Sequence, residues 1–301
     1  MAPGVPRPKS SPIDPMKTLR LSCSFTPRPL LGTAEHALIG KWLVLLTSSM
    51  PKLFALFLLA TVLVDGAGGA PAPISPKMLA TPGASAVPAV GLRLWLCSTV
   101  GAPASGPVAR WADQSGCGND AVQPEADHQP QIIANQVNGM PVVHFIQDHR
   151  TLLQLPDVMA GATAGEAFAV LRKTAVPIVG LWAFGSDMGS RYPENGNWIW
   201  DSFAATAMRN EGKPPIDLTS VHLYNVGGDA KVWFQNFNGT SFCRETSNTV
   251  KFRANPTLGD GQGSYFDGDM AEVIIYDHVL TDAERKSVND YLLGKYQLSR
   301  K

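Results

Sequence analysis

The segment from Tyr265 to Tyr296 constrains the fold more than any other part of the chain, because it predicts a strand, a turn and a capped helix in fixed order. The strand prediction covers Glu272 to Asp277, a run rich in β-branched side chains. Thr281 and Glu284 have the T-x-x-E spacing of a capping box, in which each side chain satisfies a backbone N–H at the helix start. The predicted helix then carries one apolar stripe at helical spacing: Val288, Tyr291, Leu292 and Lys295. This segment indicates a helix that packs against a sheet.

The middle of the chain alternates short β-prone runs with clusters of Gly, Asn and Asp, which is the spacing of a β-sandwich. The predicted strands are Phe168 to Arg172, Val179 to Phe184, Asn197 to Phe203, Val221 to Val226, Lys231 to Phe237 and Lys251 to Arg253. Asn238-Gly239 predicts a tight hairpin turn, because both residue types accept positive φ. The chain has 301 residues, of which 45% are hydrophobic and 17% charged, so it can bury one sandwich core.

Three further segments carry a family resemblance: LRLWLC (Leu92 to Cys97), WADQSGCGND (Trp111 to Asp120) and VNGMPVVHF (Val137 to Phe145). Together with the closing segment they resemble laminin G-like jelly-roll domains of the concanavalin A-like lectin/glucanase superfamily, in the form common in secreted bacterial proteins. The resemblance covers roughly residues 91 to 298. It implies an all-β, two-sheet antiparallel jelly-roll sandwich with a short C-terminal helix. Because this fold carries lectins, hydrolases, adhesive modules and spacers, it does not define a function.

The N-terminal part of the chain predicts export. The apolar run from Leu53 to Val64 follows Lys52 and precedes a stretch of small residues, which is typical of a secretory signal peptide. We therefore expect an unstructured or spurious extension at 1–49, a signal peptide at 50–70, a Pro/Ala-rich linker at 71–90 and the jelly-roll domain at 91–301, with Met50 as the translation start. A retained membrane anchor is the alternative. The expected location is outside the cell or on its surface.

Charge and motif content argue against two function classes. The formal net charge is zero and no basic run occurs, so we do not expect a nucleic-acid partner. Glucanases of the superfamily carry an E-x-D-x-E or E-x-D-x-x-E strand that aims two glutamates into a cleft, and that spacing does not occur here. The sequence therefore predicts a protein that is not an enzyme and has no catalytic residue.

A candidate carbohydrate site comes from aromatic residues beside amides and a carboxylate. Sugars stack their C–H surfaces on aromatic faces, and Trp198 and Trp200 share one face of a predicted strand. The polar members of this candidate site are Asn195, Asn197 and Asp201. If the shared face is exposed, the two tryptophans form a platform; if it faces inward, they belong to the core. Trp182 and Trp233 have the same two alternatives.

The resemblance also implies Ca²⁺ at the rim of the sandwich, held by oxygen ligands from the opening turn and the closing strand. The candidates by position are Asp113, Asn119, Asp120 and Asp269. The alternative is that Asp113 and Ser115 form turns by accepting hydrogen bonds from loop N–H groups. A structural Ca²⁺ is the one ion that the resemblance implies, and no cofactor is required.

Cys97 and Cys117 are the predicted disulfide pair, since both belong to the opening strand and turn of an exported chain. Buried reduced thiols are the alternative.

The combined interpretation is an extracellular recognition module that binds a polysaccharide or a cell-surface glycan. A structural or adhesive module that binds a protein partner is the alternative, and a glycoside hydrolase is the least favoured. A membrane partner is expected only if the apolar N-terminal segment is retained.

Overall fold

The computed structural model describes residues 87–185, 189–194 and 196–300, without the side chain of residue 211. The predicted N-terminal extension, the signal peptide, most of the linker and Asn195 lie outside the described residues. Within the described ranges, no helix has the length and apolar character needed to span a membrane.

The described elements are mostly strands and end in one α-helix. In chain order they are β1 (Leu92–Cys97), β2 (Gly106–Pro107), β3 (Arg110–Trp111), β4 (Ala121–Val122), β5 (Gln131–Val137), β6 (Met140–Phe145), β7 (Leu153–Gln154), β8 (Gly165–Lys173), β9 (Trp182–Ala183), β10 (Arg191–Glu194), β11 (Trp198–Asp201), β12 (Arg209–Gly212), β13 (His222–Gly228), β14 (Trp233–Phe237), β15 (Thr240–Glu245), β16 (Thr257–Leu258), β17 (Gly268–Tyr276) and α1 (Asp282–Tyr296).

The largest sheet is organised around its central strand β17. Its order is β15-β14-β13-β8-β17-β6-β5-β2, and β1 also pairs with β17. Strand β8 runs antiparallel along one edge of β17 from Gly268 to Tyr276, while β6 and β1 share the other edge. The opening and closing strands are therefore direct neighbours, although they lie at opposite ends of the domain sequence.

Two smaller sheets complete the sandwich, with orders β3-β4-β7-β16-β9 and β10-β11-β12. The main core lies between them and the large sheet, and it buries Trp111, Trp182 and Trp233 completely. Trp182 and Trp233 are thus core residues. All pairs of named strands are antiparallel, so the predicted all-β jelly-roll-like sandwich is confirmed.

The closing helix α1 packs on the other face of the large sheet, as the apolar stripe predicted. Glu284 N donates to Thr281 Oγ1 at 3.3 Å and Thr281 N donates to Glu284 Oε2 at 2.9 Å, so the capping box is present. The residues of α1 that pack here are Val288, Leu292, Leu293 and Tyr296. Val87, which the sequence assigns to the linker, is buried in this helix-side cluster before the predicted domain start at residue 91.

Two of the shorter predictions differ from the structure. The strand predicted from Val179 to Phe184 is reduced to Trp182–Ala183, because Val179 N donates to Pro193 O of β10 and Gly180 N donates to Tyr265 O, outside a regular strand ladder. The segment from Lys251 to Arg253 is a loop. The Asn238-Gly239 turn is confirmed: both residues have positive φ, and they join β14 to β15.

Candidate functional site

Two tryptophans of β11 share one face of the three-stranded sheet, and that face is open to solvent. Trp198 is 42% exposed and Trp200 is half-buried, whereas Ile199 and Asp201 are buried. Successive side chains of a strand point to opposite faces, so the tryptophans lie on the outer side and the other two residues on the core side. Of the two alternatives that the sequence left open, the structure shows the exposed face.

Polar side chains from the neighbouring strands lie opposite these tryptophans. Arg191 and Asn210 are cross-strand partners of Trp200, and Glu194 is the partner of Trp198. Directly opposed residues of an antiparallel pair share a face. Arg191 Nε and Glu194 Oε2 lie 3.4 Å apart and form an ion pair along the edge strand. We call these five residues, Arg191, Glu194, Trp198, Trp200 and Asn210, the tryptophan platform.

The turn before β11 positions Trp198. Gly196 and Asn197 have φ of 79° and 62°, and Gly and Asn are the residues that tolerate this left-handed region. A Cβ on Gly196 would lie 3.2 Å from the indole ring of Trp198, so the ring packs close to the glycine backbone. Asn197 is exposed at the edge of the platform.

The sequence places Asp201 with the platform tryptophans, and this placement is wrong. Asp201 lies on the opposite face, fully buried, where it accepts hydrogen bonds from Trp182 Nε1 at 3.1 Å, Tyr224 OH at 2.9 Å and Phe203 N at 2.8 Å. Burial raises the pKa of Asp201 to about 6, and the hydrogen bonds oppose that rise. The two-residue alternation of a strand already separates position 201 from positions 198 and 200, so the signal was present in the sequence.

Asp113, the first predicted calcium ligand, organises the loop that follows β1. Its Oδ1 accepts from Trp95 N and Ser115 N, both at 2.9 Å. Its Oδ2 accepts from Ser115 Oγ at 2.7 Å and Asn119 N at 2.9 Å. Asp113 therefore performs the turn-forming role that was the alternative to metal binding.

The remaining predicted ligands have protein partners of their own. Asp120 accepts from Asp113 N at 2.8 Å and from Arg110 Nε at 2.7 Å, and Asn119 Nδ2 donates to Arg93 O at 2.7 Å.

Asp269 is separated from the opening loop. Trp95, whose N–H donates to Asp113, pairs with Ile274 of β17. Asp269 lies five positions before Ile274, and five strand positions correspond to about 16 Å. The structure therefore does not bring the four predicted calcium ligands together. Within the described ranges, no group of three or more His, Cys, Asp or Glu side chains has a metal-binding arrangement.

A polar cluster that the sequence did not reveal surrounds Asp269. Asp269 is 6% exposed, and its carboxylate accepts from His144 Nδ1 and Arg172 Nε, both at 2.7 Å. The hydrogen bond to Asp269 raises the pKa of His144, and burial opposes that rise. The three residues are far apart in the chain and become neighbours only because β6, β17 and β8 are adjacent. No local motif could have identified them.

This cluster lines one of two adjoining clefts. The first, about 550 Å³ in volume, contains His144, Arg172 and Asp269. The second, about 380 Å³, contains Asn197 at the edge of the tryptophan platform. Lys173, Ala175 and Thr219 line both clefts. We call the two clefts together the lysine groove, after the residue that forms their shared wall.

The predicted disulfide between Cys97 and Cys117 is not formed in the structure. Cys97 is buried at one end of β1, where its Sγ accepts from Lys295 Nζ at 3.1 Å. Cys117 Sγ lies 3.5 Å from Leu92 O at the other end of β1. Five strand positions correspond to about 16 Å, whereas a disulfide needs Cα atoms within about 7 Å.

Comparisons with known proteins give similarity in structure alone. No protein-family model matches the chain, and no curated protein matches it in sequence. A sialidase of Trypanosoma rangeli, in complex with 2,3-difluoro-KDN, is 15% identical over 73% of this chain and 36% of the sialidase, with a TM-score of 0.43. The chain therefore spans about a third of the length of the sialidases that it matches.

Two binding domains are also similar. The binding domain of Paraclostridial Mosquitocidal Protein 1 is 9% identical over 68% of this chain and 53% of that domain, with a TM-score of 0.51. Domain 4 of AbnA, an extracellular GH43 arabinanase from Geobacillus stearothermophilus, in complex with arabinotriose, is 13% identical over 66% of this chain and 97% of that domain, with a TM-score of 0.49. The first of these likenesses shows a shared fold, in agreement with a lectin-like β-sandwich.

The sequence-based prediction that the protein is not an enzyme is contradicted, because the similar structures include sialidases, which are enzymes. The prediction relied on the absence of local catalytic motifs. Catalytic carboxylates can come from several strands that only the fold brings together, so the missing motif does not exclude activity. At this identity and coverage the likeness assigns no catalytic residue to this chain.

Proposed function

We propose that this protein binds carbohydrate through the tryptophan platform. The observation that carries the proposal is the exposure of Trp198 and Trp200 on one sheet face, beside the side chains of Arg191, Glu194 and Asn210. An indole face suits the C–H surface of a pyranose ring, and charged and amide groups beside it suit the hydroxyls. The ligand class is a polysaccharide or a cell-surface glycan.

Two features support this interpretation. An exposed tryptophan loses favourable burial free energy unless a ligand covers it, and sites that recognise ligands are enriched in Trp and Arg. The underside of β11 is anchored, since Ile199 is buried and Asp201 accepts three hydrogen bonds from the core. The platform is therefore held in one geometry before a ligand arrives, which lowers the entropic cost of binding.

The motifs from Leu92 to Phe145 support assignment to the laminin G-like group of sandwiches, and the apolar run from Leu53 to Val64 supports export. With export, the proposed ligand lies outside the cell or on its surface.

The test is binding of the purified protein to a panel of polysaccharides and glycans, by isothermal titration calorimetry or affinity electrophoresis. We expect saturable binding to at least one sugar and a loss of at least about 30-fold in the Trp198→Ala, Trp200→Ala double variant, since a stacked tryptophan is worth about 2 kcal/mol. Val100 is an exposed apolar residue outside the platform. The Val100→Ala variant is the control, and it should bind the sugar as tightly as the parent protein does.

Two results would overturn the proposal. One is the absence of binding to every sugar tested, which would favour a protein partner. The other is undiminished binding in a double variant whose near-UV circular dichroism and urea midpoint show that it is folded.

A further inference from the structure

The lysine groove begins where the tryptophan platform ends. Asn197, the residue before Trp198, lines the second cleft, and Lys173 and Thr219 continue the wall into the first. A chain of sugars that lies on the indole rings would thus have a continuation into the groove. The charges of the groove determine which sugars it can accept.

Lys173 is an unusual wall residue, because its charge is buried without a carboxylate partner. It ends β8, is 7% exposed, and donates from Nζ to Thr174 O and Val176 O, both at 2.9 Å. Among the residues that the structure describes, no carboxylate lies within ion-pair distance of its Nζ. Burial lowers the pKa of Lys173, and Asp217 and Asp267 act in the opposite direction from further away. A buried ammonium without a counter-ion is costly, and an anion that enters the groove would reduce that cost.

Lys213 is the second cation of the groove. It is exposed in the wall of the second cleft, and it too has no ion-pair partner within the described part of the chain.

The acidic residues of the groove are already engaged. Asp269 is held by His144 and Arg172, and Asp217 accepts from Thr219 N at 2.9 Å and Thr219 Oγ1 at 2.8 Å.

The balance of charge in the groove is positive. Arg172, Lys173 and Lys213 are cations, with His144 as a fourth when it is protonated, against the two carboxylates Asp217 and Asp269. Asp267 does not line either cleft, and it accepts hydrogen bonds from Thr174 Oγ1 and Gln147 N.

We infer that the ligand of the platform is an acidic saccharide chain, whose carboxylate or sulfate group lies in the lysine groove against Lys173 and Lys213 while a neighbouring sugar covers Trp198 and Trp200. This inference rests on the proposed function and specifies the chemical class of its ligand. It predicts that binding weakens as salt concentration rises, since the lysine at the rim is exposed to screening.

The experiment compares matched polysaccharides that differ only in charge. Polygalacturonate is compared with its methyl ester for the carboxylate, and dextran sulfate with dextran for the sulfate. We expect the charged member of at least one pair to bind at least tenfold more tightly than its neutral counterpart at low salt. Lys213→Ala should weaken that binding at least about tenfold, because it removes a charge-assisted hydrogen bond to the ligand.

Lys231→Ala is the matched control variant. Lys173 ends β8 close to Leu171, which lies opposite His222 at the start of β13. Lys231 follows the other end of β13, where Gly228 lies opposite Gly165, so it is more than about 20 Å along the sheet from Lys173. Lys231 is exposed, and the Lys231→Ala variant should bind the charged polymer as tightly as the parent protein does. Lys173→Met is the more direct variant, and its urea midpoint is measured first because its side chain is buried.

The outcomes separate this inference from the proposed function. Equal binding of charged and neutral polymers, lost in the Trp198→Ala, Trp200→Ala variant, would overturn the acidic ligand and leave carbohydrate binding in place. Charged-polymer binding that Lys213→Ala abolishes and the tryptophan variant leaves unchanged would overturn the platform. If Lys213→Ala and Lys231→Ala weakened binding of the charged polymer equally, the effect would come from the net charge of the protein. That result would overturn the groove as a binding site.

Discussion

Trp95 and Trp198 both lie on outward faces of strands, yet their surroundings differ. Trp95 lies under α1, where its Nε1 donates to Glu272 Oε1 at 2.6 Å and its ring meets Tyr291 edge-on at 6.1 Å. Trp198 lies over the turn at Gly196 and is 42% exposed. The comparison teaches that a strand pattern determines which side chains share a face, whereas a distant element determines whether that face becomes core or surface.

We expect the largest loss of stability when the buried charge on the face covered by α1 is removed. Glu272 is fully buried and accepts from Trp95, Tyr291 OH at 2.9 Å, Lys295 Nζ at 2.6 Å and Tyr296 OH at 2.7 Å. Glu272→Gln leaves the Lys295 ammonium without its counter-ion, so we expect the free energy of unfolding to fall by about 3–5 kcal/mol in urea titrations.

Glu194→Gln is the same substitution on the tryptophan platform and serves as the control. Its ion pair with Arg191 is partly exposed to solvent, and its loss should change the free energy of unfolding by no more than about 1 kcal/mol. Equal losses in the two variants would contradict the contrast between a covered face and an open one.

The underside of the platform predicts two opposed pH dependences. Burial raises the pKa of Asp201 from 3.8 to about 6, so the stability due to its protonation is complete below pH 3.8 and is lost as pH rises through 6. Burial lowers the pKa of His222 from 6.5 to about 4, so the stability due to its neutral form is complete above pH 6.5 and is lost as pH falls through 4. Each shift corresponds to about 3 kcal/mol, and the two nearly cancel in the parent protein.

Single variants should therefore separate the two contributions. Asp201→Asn should make the free energy of unfolding fall more steeply than in the parent between pH 6.5 and 4, by about 3 kcal/mol. His222→Gln should produce the opposite slope over the same range. Urea titrations at several pH values measure both, and parallel curves for the parent and either variant would show that the corresponding group does not titrate in this window.

The smallest expected contrast between the two faces comes from the tryptophans themselves. Trp95→Ala removes a hydrogen-bonded ring from beneath α1 and should lower the free energy of unfolding by about 2 kcal/mol. Trp198→Ala removes an exposed ring and should change it by no more than about 0.5 kcal/mol. If Trp198→Ala lowered the free energy of unfolding as much as Trp95→Ala does, Trp198 would be a packed structural residue. That result would contradict the interpretation of the platform as an open binding surface.

Local sequence patterns predicted much of the fold and part of the site. The capping box at Thr281, the Asn238-Gly239 turn and the shared face of Trp198 and Trp200 all depend on residues within a few positions of each other. The misplacement of Asp201 came from grouping residues by chemistry when the alternation of β11 separated them.

The structure does not bring together the four candidate calcium ligands or the two cysteines, and the reason is different. Asp113 and Asp269, like Cys97 and Cys117, were grouped by motif, and nothing in a motif reports the distance along β1 or β17 that separates them. Conversely, His144, Arg172 and Asp269 belong to three strands that are remote in sequence, so no local pattern could have shown the lysine groove.

The sequence by itself determined most of the longer strands, the Asn238-Gly239 turn, the capped helix and the alternation of faces along a strand, because these depend on backbone geometry and side chains a few residues apart. Only the tertiary structure decided that α1 covers Trp95 and leaves Trp198 exposed, and that Lys173 is buried beside an open groove. These outcomes depend on the packing of elements that are far apart in the chain, where burial and electrostatics act through space and leave no local pattern.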